Sequence, residues 1–318
     1  MSDPAISDPC VPAVQKAGGR HRVAEMAADE LDRRLAEPLA PGLYLVATPI
    51  GNLADITLRA LVILTRADRI YCEDTRQSQK LIARYGIAQR LETYHEHNAE
   101  RERPRILAAL AAGKSVALIS DAGTPLISDP GYKLTRAAVE AGHAVIAIPG
   151  PSAVLAGLVG AGLPTDSFHF AGFLPQKSGA RQTRITALAG VPGTLVLFEA
   201  PGRLAACLAE LAAGLGDREA VVGRELTKLN ETYHRGTLSD LAAWASSGAV
   251  KGEAVIMIAP ATPTEVGDEA IADALASALE SSSVRDAASA VAARLGVPRK
   301  RVYDLAVKIS AAERPKED

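Results

Sequence analysis

Ser120-Asp121-Ala122-Gly123-Thr124-Pro125-Leu126-Ile127-Ser128-Asp129-Pro130-Gly131 follows an apolar, strand-like run (Val116 to Ile119) and precedes a helix-like one (Lys133 to Ala141). Small residues, prolines and two aspartates thus stand where a parallel strand would end. In open α/β sheets, ligands bind in the crevice beyond the carboxyl ends of the strands. Glycine lets backbone approach a ligand closely, and proline pre-shapes the turn. An ordinary strand-to-helix connection would read the same way in isolation, so the surrounding pattern decides.

Outward from this loop, short apolar runs alternate with helical periodicity. Strands are predicted at Leu43 to Ala47, Arg69 to Cys72, Leu91 to Tyr94, Ser115 to Ser120 and Ala144 to Ile148. Helices are predicted at Ile56 to Leu64, Gln77 to Tyr85, Glu100 to Ala112, Lys133 to Ala141 and Ser152 to Ala161. Such alternation implies a mostly parallel sheet covered on both faces, an α/β domain over 42–162. Gly162-Leu163-Pro164-Thr165-Asp166 breaks the pattern and marks a boundary. Strands then follow at Phe168 to Gly172, Thr194 to Phe198, Ala220 to Leu226, Glu231 to Arg235 and Ala254 to Ile258. The last three lie close together, which suggests a mixed sheet with antiparallel members in a second α/β domain, 163–260. After a linker around Ala259 to Thr264 come helices at Glu269 to Leu279, Val284 to Leu295 and Arg299 to Ser310. Ser283 caps the second, Gly296 ends it, and Pro298 suits the first turn of the third. Residues 268–318 therefore read as a helix-turn-helix-like module, or as a plain helical tail. Met1 to Arg20 reads as a disordered tail and Val23 to Leu35 as a short helix, so 1–41 is a disordered or partly helical extension.

Composition narrows the function. The chain has 318 residues, room for two domains and a small third. Aromatics are only 4%, which argues against a stacking platform for single-stranded nucleic acid. The formal charge of −2 supplies no global attraction to phosphate, so nucleic-acid contact needs local patches such as Arg299-Lys300-Arg301. Cys10, Cys72 and Cys207 form no Cys-x-x-Cys pair, which fits a reducing cytoplasm. No apolar run is long enough to span a bilayer, and no secretion signal is expected.

Several motifs fail on context. Gly113-Lys114-Ser115 lacks the upstream glycine of a P-loop and precedes a strand. No Gly-x-Gly-x-x-Gly follows the first strand, and no Gly-x-Ser-x-Gly elbow is present. For His95-Glu96-His97 as a metal site, neighbouring residues on an extended segment point to opposite faces, and no third ligand is placed by sequence.

Five loops remain: Ala47 to Thr57, Cys72 to Arg76, Ser120 to Gly131, Pro149 to Ala153 and Ala171 to Pro175. In a parallel sheet the first four lie along one edge, and with the fifth they line a cleft between domains. Their wording resembles the tetrapyrrole methylase superfamily of S-adenosylmethionine-dependent methyltransferases. More narrowly, it is similar to the bacterial branch that methylates the ribose 2′-oxygen of a cytidine in small-subunit 16S ribosomal RNA. Leu43 to Leu53, Glu73-Asp74-Thr75-Arg76, Ser120 to Gly131, and Arg224 to Lys228 with Glu231 carry the resemblance. It runs from about Gly42 to Ile258, and the C-terminal helices resemble that branch's terminal module; Met1 to Pro41 is not covered.

The resemblance implies two α/β domains with S-adenosyl-L-methionine folded between them, a homodimer, and neither metal nor membrane. It implies that Ile50, Asp121, Thr124, Ser152, Ala153 and Phe173 face the donor, joined by Leu226 and Gly252 from the second domain. A sulfonium donor carries its own leaving group, so the protein must chiefly align an oxygen with the methyl carbon. An alcohol acceptor also benefits from a base or an electrostatic aid. Among Glu73, Asp74, Glu225, Lys228 and Glu231, Asp74 and Lys228 are favoured as catalytic substrate-side groups; loop-holding ion pairs are the structural alternative. Arg76, Arg203, Arg224 and the Arg299, Lys300, Arg301 cluster are candidates for RNA phosphates. Two other readings stay open: methylation of a precorrin-type tetrapyrrole, and a non-catalytic RNA-binding assembly factor.

Overall fold

The computed structural model describes residues 16–248, 250–261, 267–280 and 282–312. The chain forms two compact units, 1–261 and 262–318. In the larger unit, β1 (Gly42–Val46), β2 (Arg69–Cys72), β3 (Leu91–Thr93), β4 (Ser115–Ile119) and β5 (Val145–Ile148) form a sheet in the order β3-β2-β4-β1-β5. Every pairing in it is parallel. β1 shows why the runs are continuously apolar. Leu43 packs on one face with Ile106, Leu134 and Ala138, while Tyr44 and Val46 pack on the other with Ile63, Leu64 and Ile82. Successive strand residues point to opposite faces, so a sheet covered on both needs apolar residues at each position. The cover is α2 (Leu58–Arg66) and α3 (Thr75–Arg84) on one side, α4 (Ala99–Ala111) and α5 (Tyr132–Glu140) on the other.

A second five-stranded sheet follows: β6 (Phe168–Phe173), β7 (Thr194–Glu199), β8 (Glu219–Arg224), β9 (Thr232–Thr237) and β10 (Ala254–Ile258), in the order β6-β7-β10-β8-β9. β6 and β7 are parallel, with a bulge between Phe170 and Gly172, and the remaining pairs are antiparallel. This is the mixed sheet expected from the close spacing of its strands. Three helices not read from the sequence, α7 (Ser178–Ala189), α8 (Leu204–Leu215) and α9 (Leu238–Ser246), cover one face. The other face is covered by α6 (Ala153–Ala161), the helix that leaves the first sheet. Val154 and Leu158 of α6 pack on Val196, Val221, Val255 and Met257. A Cβ at Gly157 would stand 3.1 Å from the Met257 sulfur, so glycine lets α6 settle on β10. The packing seam between the sheets therefore falls at Pro149–Ser152, ahead of the break expected at Gly162. β8 stops at Arg224, short of the expected Leu226, because Glu225 turns into the left-handed region (φ 48°).

Helix α1 spans Lys16–Ala36, earlier than the Val23 start read from sequence. Lys16 to Arg20, assigned there to a disordered tail, are thus helical; the remainder of that tail lies outside the described residues. Leu31 and Leu39 reach the core beneath α2. The smaller unit holds α10 (Asp268–Leu279), α11 (Val284–Leu295) and α12 (Arg299–Ala312) around Ile271, Leu275, Ala288, Val291, Val302 and Ala306. The Ser283 hydroxyl caps α11, accepting from the Asp286 N–H at 3.2 Å, and Gly296 ends it in the left-handed conformation (φ 64°). Residues 262–264 of the linker read at Ala259 to Thr264 lie outside the described residues.

Candidate active site

The loops after β1, β4 and β5 meet because their strands are neighbours in the parallel sheet. Thr48 and Gly123 exchange backbone hydrogen bonds of 2.9 Å each way. The Thr48 hydroxyl donates to the Ser120 carbonyl at 3.1 Å, and the Thr124 hydroxyl to the Pro151 carbonyl at 3.2 Å. Gly123 has φ 82°, and a Cβ there would press on Ile50 at 3.2 Å. Glycine is therefore needed both for the turn and for the close approach.

Facing these loops is the edge of the second sheet where β7 ends and β10 begins. Glu199 and Ala254 are partners in that antiparallel pairing, so residues far apart in sequence share one rim. Between the loops and this rim lies a cavity of about 400 Å³. Ile50, Val154, Phe173, Phe198, Leu226 and Val255 make it apolar; Asp121, Asp129 and Glu253 line it with acidic side chains, while the Glu199 carboxylate is turned toward Cys207 on the helix-covered face of β7.

Of the donor-facing residues expected from the sequence, the structure brings Ile50, Asp121, Thr124, Ser152, Ala153, Phe173 and Leu226 onto this cavity. Gly252 is outside the lining: it has φ 82° and lies against the Glu225 side chain, and its neighbour Glu253 reaches the wall. Ser152 also caps α6, accepting from the Leu155 N–H at 3.4 Å. Sequence reasoning missed Ser128, Asp129, Glu199 and Glu253. Asp129 was visible in the β4 loop as a second aspartate. Glu199 and Glu253 had no signal, because strand direction in a mixed sheet cannot be read from apolar runs.

Neither residue favoured for catalysis lines the cavity. The Asp74 carboxylate caps α3 and pairs with Arg76 at 2.8 Å. Those bonds hold it down to about 2, which makes it a weak base. Its backbone N–H donates to Asp121 Oδ1 at 3.0 Å. The Lys228 stem lies against Gly51, so it bridges from the second sheet to the β1 loop. Its ammonium binds Glu225 at 2.9 Å and Glu253 at 3.2 Å. Burial works to lower the Lys228 pKa, but these carboxylates outweigh it and raise it, so the side chain stays cationic.

The arginines proposed for phosphate separate into two groups. Arg203 pairs with the buried Glu199 at 2.7 Å, and Arg224 donates twice to the Lys251 carbonyl, so both hold local structure. Arg76 is mostly exposed despite its pairing with Asp74. Arg299 and Lys300 are exposed at the start of α12, while Arg301 pairs with Asp268 at 2.7 Å. Among the described residues no helix is long and apolar enough to cross a membrane.

Comparison with known proteins places this geometry. The family model for tetrapyrrole (corrin/porphyrin) methylases matches residues 42–242, and the model for the RsmI C-terminal HTH domain matches 265–310. "Ribosomal RNA small subunit methyltransferase I" of Mesorhizobium japonicum is 58% identical over 228 residues, 71% of this chain and 78% of that one. The protein of the same name from Escherichia coli O157:H7 is 42% identical over 272 residues, 84% of this chain and 94% of that one. Among solved structures, diphthine synthase aligns with a TM-score of 0.56 at 19% identity, covering 68% of this chain and 89% of that one. A cobalt precorrin-4 methyltransferase aligns at 0.53 and 21% identity, covering 68% and 94%. At such identities the solved structures speak for the fold alone.

Proposed function

The chain belongs to the tetrapyrrole (corrin/porphyrin) methylase family, and on that premise we propose that it is an S-adenosylmethionine-dependent methyltransferase of 16S ribosomal RNA in the small subunit, acting on the ribose 2′-oxygen of a cytidine. The cavity between the two sheets carries the donor half of this reading. Its volume of about 400 Å³ lies within the usual range for small-ligand sites. Its apolar wall suits a purine, and its carboxylates suit a ligand that bears both an ammonium and a sulfonium. The relatives at 42% and 58% identity, both named as ribosomal RNA small subunit methyltransferase I, support the RNA half.

The bound donor would supply a methyl group already attached to a good leaving group. What this chain must add is placement. Asp121, fixed through the Asp74 N–H, offers a carboxylate to a hydroxyl or ammonium. Phe173, Phe198, Leu226 and Val255 exclude water from the apolar end. Holding acceptor and donor in near-attack geometry supplies roughly 7–11 kcal/mol of barrier lowering. Arg299 and Lys300 at the start of α12 supply phosphate contacts that position RNA without reading its sequence. The reading includes a homodimer: Leu155 and Val159 on α6 are 51% and 74% exposed, apolar side chains that a second copy would cover. It also places the protein in the cytoplasm, with its substrate.

Incubating the pure protein with methyl-labelled donor and small subunits lacking the modification tests the proposal. Label on a cytidine ribose is the expected result. Unlabelled RNA beside an active control enzyme would falsify it.

A further inference from the structure

Asp129 is a carboxylate on the cavity wall that the placement described above leaves unused. Among the described residues, the other three acidic residues that line the cavity are engaged, Glu199 with its carboxylate turned to the far face of the sheet. Glu199 accepts from Arg203, Glu253 from Lys228, and Asp121 from the Asp74 N–H. Asp129 has the Ser120 hydroxyl beside it and no cation.

The loop that carries Asp129 is built at a cost. Leu126 and Ser128 both sit in the left-handed region, with φ 72° and 62°. Non-glycine residues there are strained and persist where surrounding structure holds them, most often at functional sites. The bend brings Ser128 toward Gly172 on β6, its Oγ 3.4 Å from where a Cβ would stand, and keeps Asp129 on the wall. Glu73, at the end of β2, faces Asp129 from the neighbouring strand, and Asp121 faces it from its own loop. Burial, the Glu73 charge and the Asp121 charge push the Asp129 carboxyl up to about 6, against the opposing pull of Ser120. A base is most effective when its pKa lies near the working pH.

Resting on the methyl-transfer reading of this cavity, we propose that Asp129 is the general base that accepts the proton of the ribose 2′-hydroxyl. The hydroxyl O–H bond breaks, its electron pair stays on oxygen, and oxygen bonds the methyl carbon. The carbon–sulfur bond breaks as sulfur keeps its pair and becomes a neutral thioether. The proton ends on the Asp129 carboxyl and passes to water once product leaves.

Asp129→Asn tests this in the full-length protein. Turnover on small subunits falls about 100- to 10,000-fold, while KM for subunits and donor affinity stay within about threefold. Wild-type turnover declines on the acid side, and this limb vanishes in the variant. Donor-binding calorimetry at pH 6, in buffers of different ionisation heat, gives a readout without RNA. A cationic ligand favours the charged carboxylate, so the wild type releases part of a proton and Asp129→Asn releases none. Glu73→Gln, which leaves the wall intact, shifts the acid limb to lower pH by removing a like charge; it decides the matter even if Asp129→Asn folds poorly. A variant Asp129→Asn that keeps wild-type turnover, or that loses donor affinity tenfold with it, overturns the assignment. So does an acid limb that Glu73→Gln leaves in place, or proton release equal in wild type and variant. A wild type inactive on subunits overturns the methyl-transfer reading and this inference with it, and only an active wild type isolates failure of the inference alone.

Discussion

Gly51 and Lys228 lie on different halves of the larger unit, yet neither is free to change alone. A Cβ at Gly51 would overlap the aliphatic stem of Lys228. Gly51→Ala should cost about 1–3 kcal/mol through overpacking. In a Lys228→Ser background, with the stem removed, the overpacking share of that cost should disappear, while the share set by the backbone at Gly51 (φ 156°) remains. A double-mutant cycle by denaturant unfolding measures the coupling, and simple additivity would show that the two residues do not meet. Asp121 separates charge from turn geometry. Asp121→Asn can still accept from the Asp74 N–H but loses the negative charge. Donor affinity measured calorimetrically should fall at least tenfold while Tm hardly moves; a collapse in Tm would make Asp121 a turn residue. Asp68 reports on pH. The Ser115 N–H and hydroxyl donate to it at 2.8 Å each, Lys114 stands at 3.0 Å, and its pKa is held down to about 2 from 3.8. A depressed folded-state pKa adds stability above the unfolded value and loses it as pH falls through the folded one. The Tm advantage of wild type over Asp68→Ala should therefore be full above pH 4 and shrink toward pH 2. An advantage that stays constant over that window contradicts the linkage. The resemblance singled out Asp121, and the structure puts it on the cavity wall. Residue identities did not separate Asp129 from it, because the difference between the two is burial and unpaired charge, which only packing creates.

At the scale of elements, legibility followed the sheet. β1 and β4 of the first sheet are covered on both faces, so Leu43–Val46 and Val116–Ile119 read as unbroken apolar runs closed by Gly-Pro loops. The second sheet is mixed, and its rim at the cavity joins the end of β7 to the start of β10. Apolar runs report where strands are, not which way they point, so Glu199 and Glu253 stayed hidden. Helix α6 misled for another reason: its Gly-rich apolar run reads like any helix after a strand, while its partner surface on β10 lies far downstream. Helix α12 was legible through the Gly296 to Pro298 turn ahead of it, and its charges differ in duty. Arg301 ties it to Asp268 at the start of α10, whereas Arg299 and Lys300 are exposed. Reversing Arg299 and Lys300 to Glu should weaken binding to small subunits and lower the slope of log affinity against log salt by about one per lost phosphate contact. Folding should be unaffected, as followed by circular dichroism. A salt slope equal to wild type would remove α12 from the RNA interface.

For the whole molecule, among the described residues the buried core of the helical unit runs from Ile271 to Ala306, and the residues that line the cavity run from Ile50 to Val255. The two α/β halves are joined through α6, and the described residues that line the cavity all belong to them. A chain ending at Ala261 should therefore fold, and bind the methyl donor within about threefold of the full protein. Its affinity for small subunits should drop at least tenfold, because the exposed Arg299 and Lys300 are lost. Methylation at saturating subunit concentration should recover part of the lost rate, since the reacting groups remain. Calorimetry with donor, filter binding with subunits and single-turnover labelling separate these three quantities. Subunit affinity unchanged by the truncation would return the helices to a purely structural role. Lost donor binding would instead mean that the cavity depends on residues beyond Ala261, contrary to the way its walls are built.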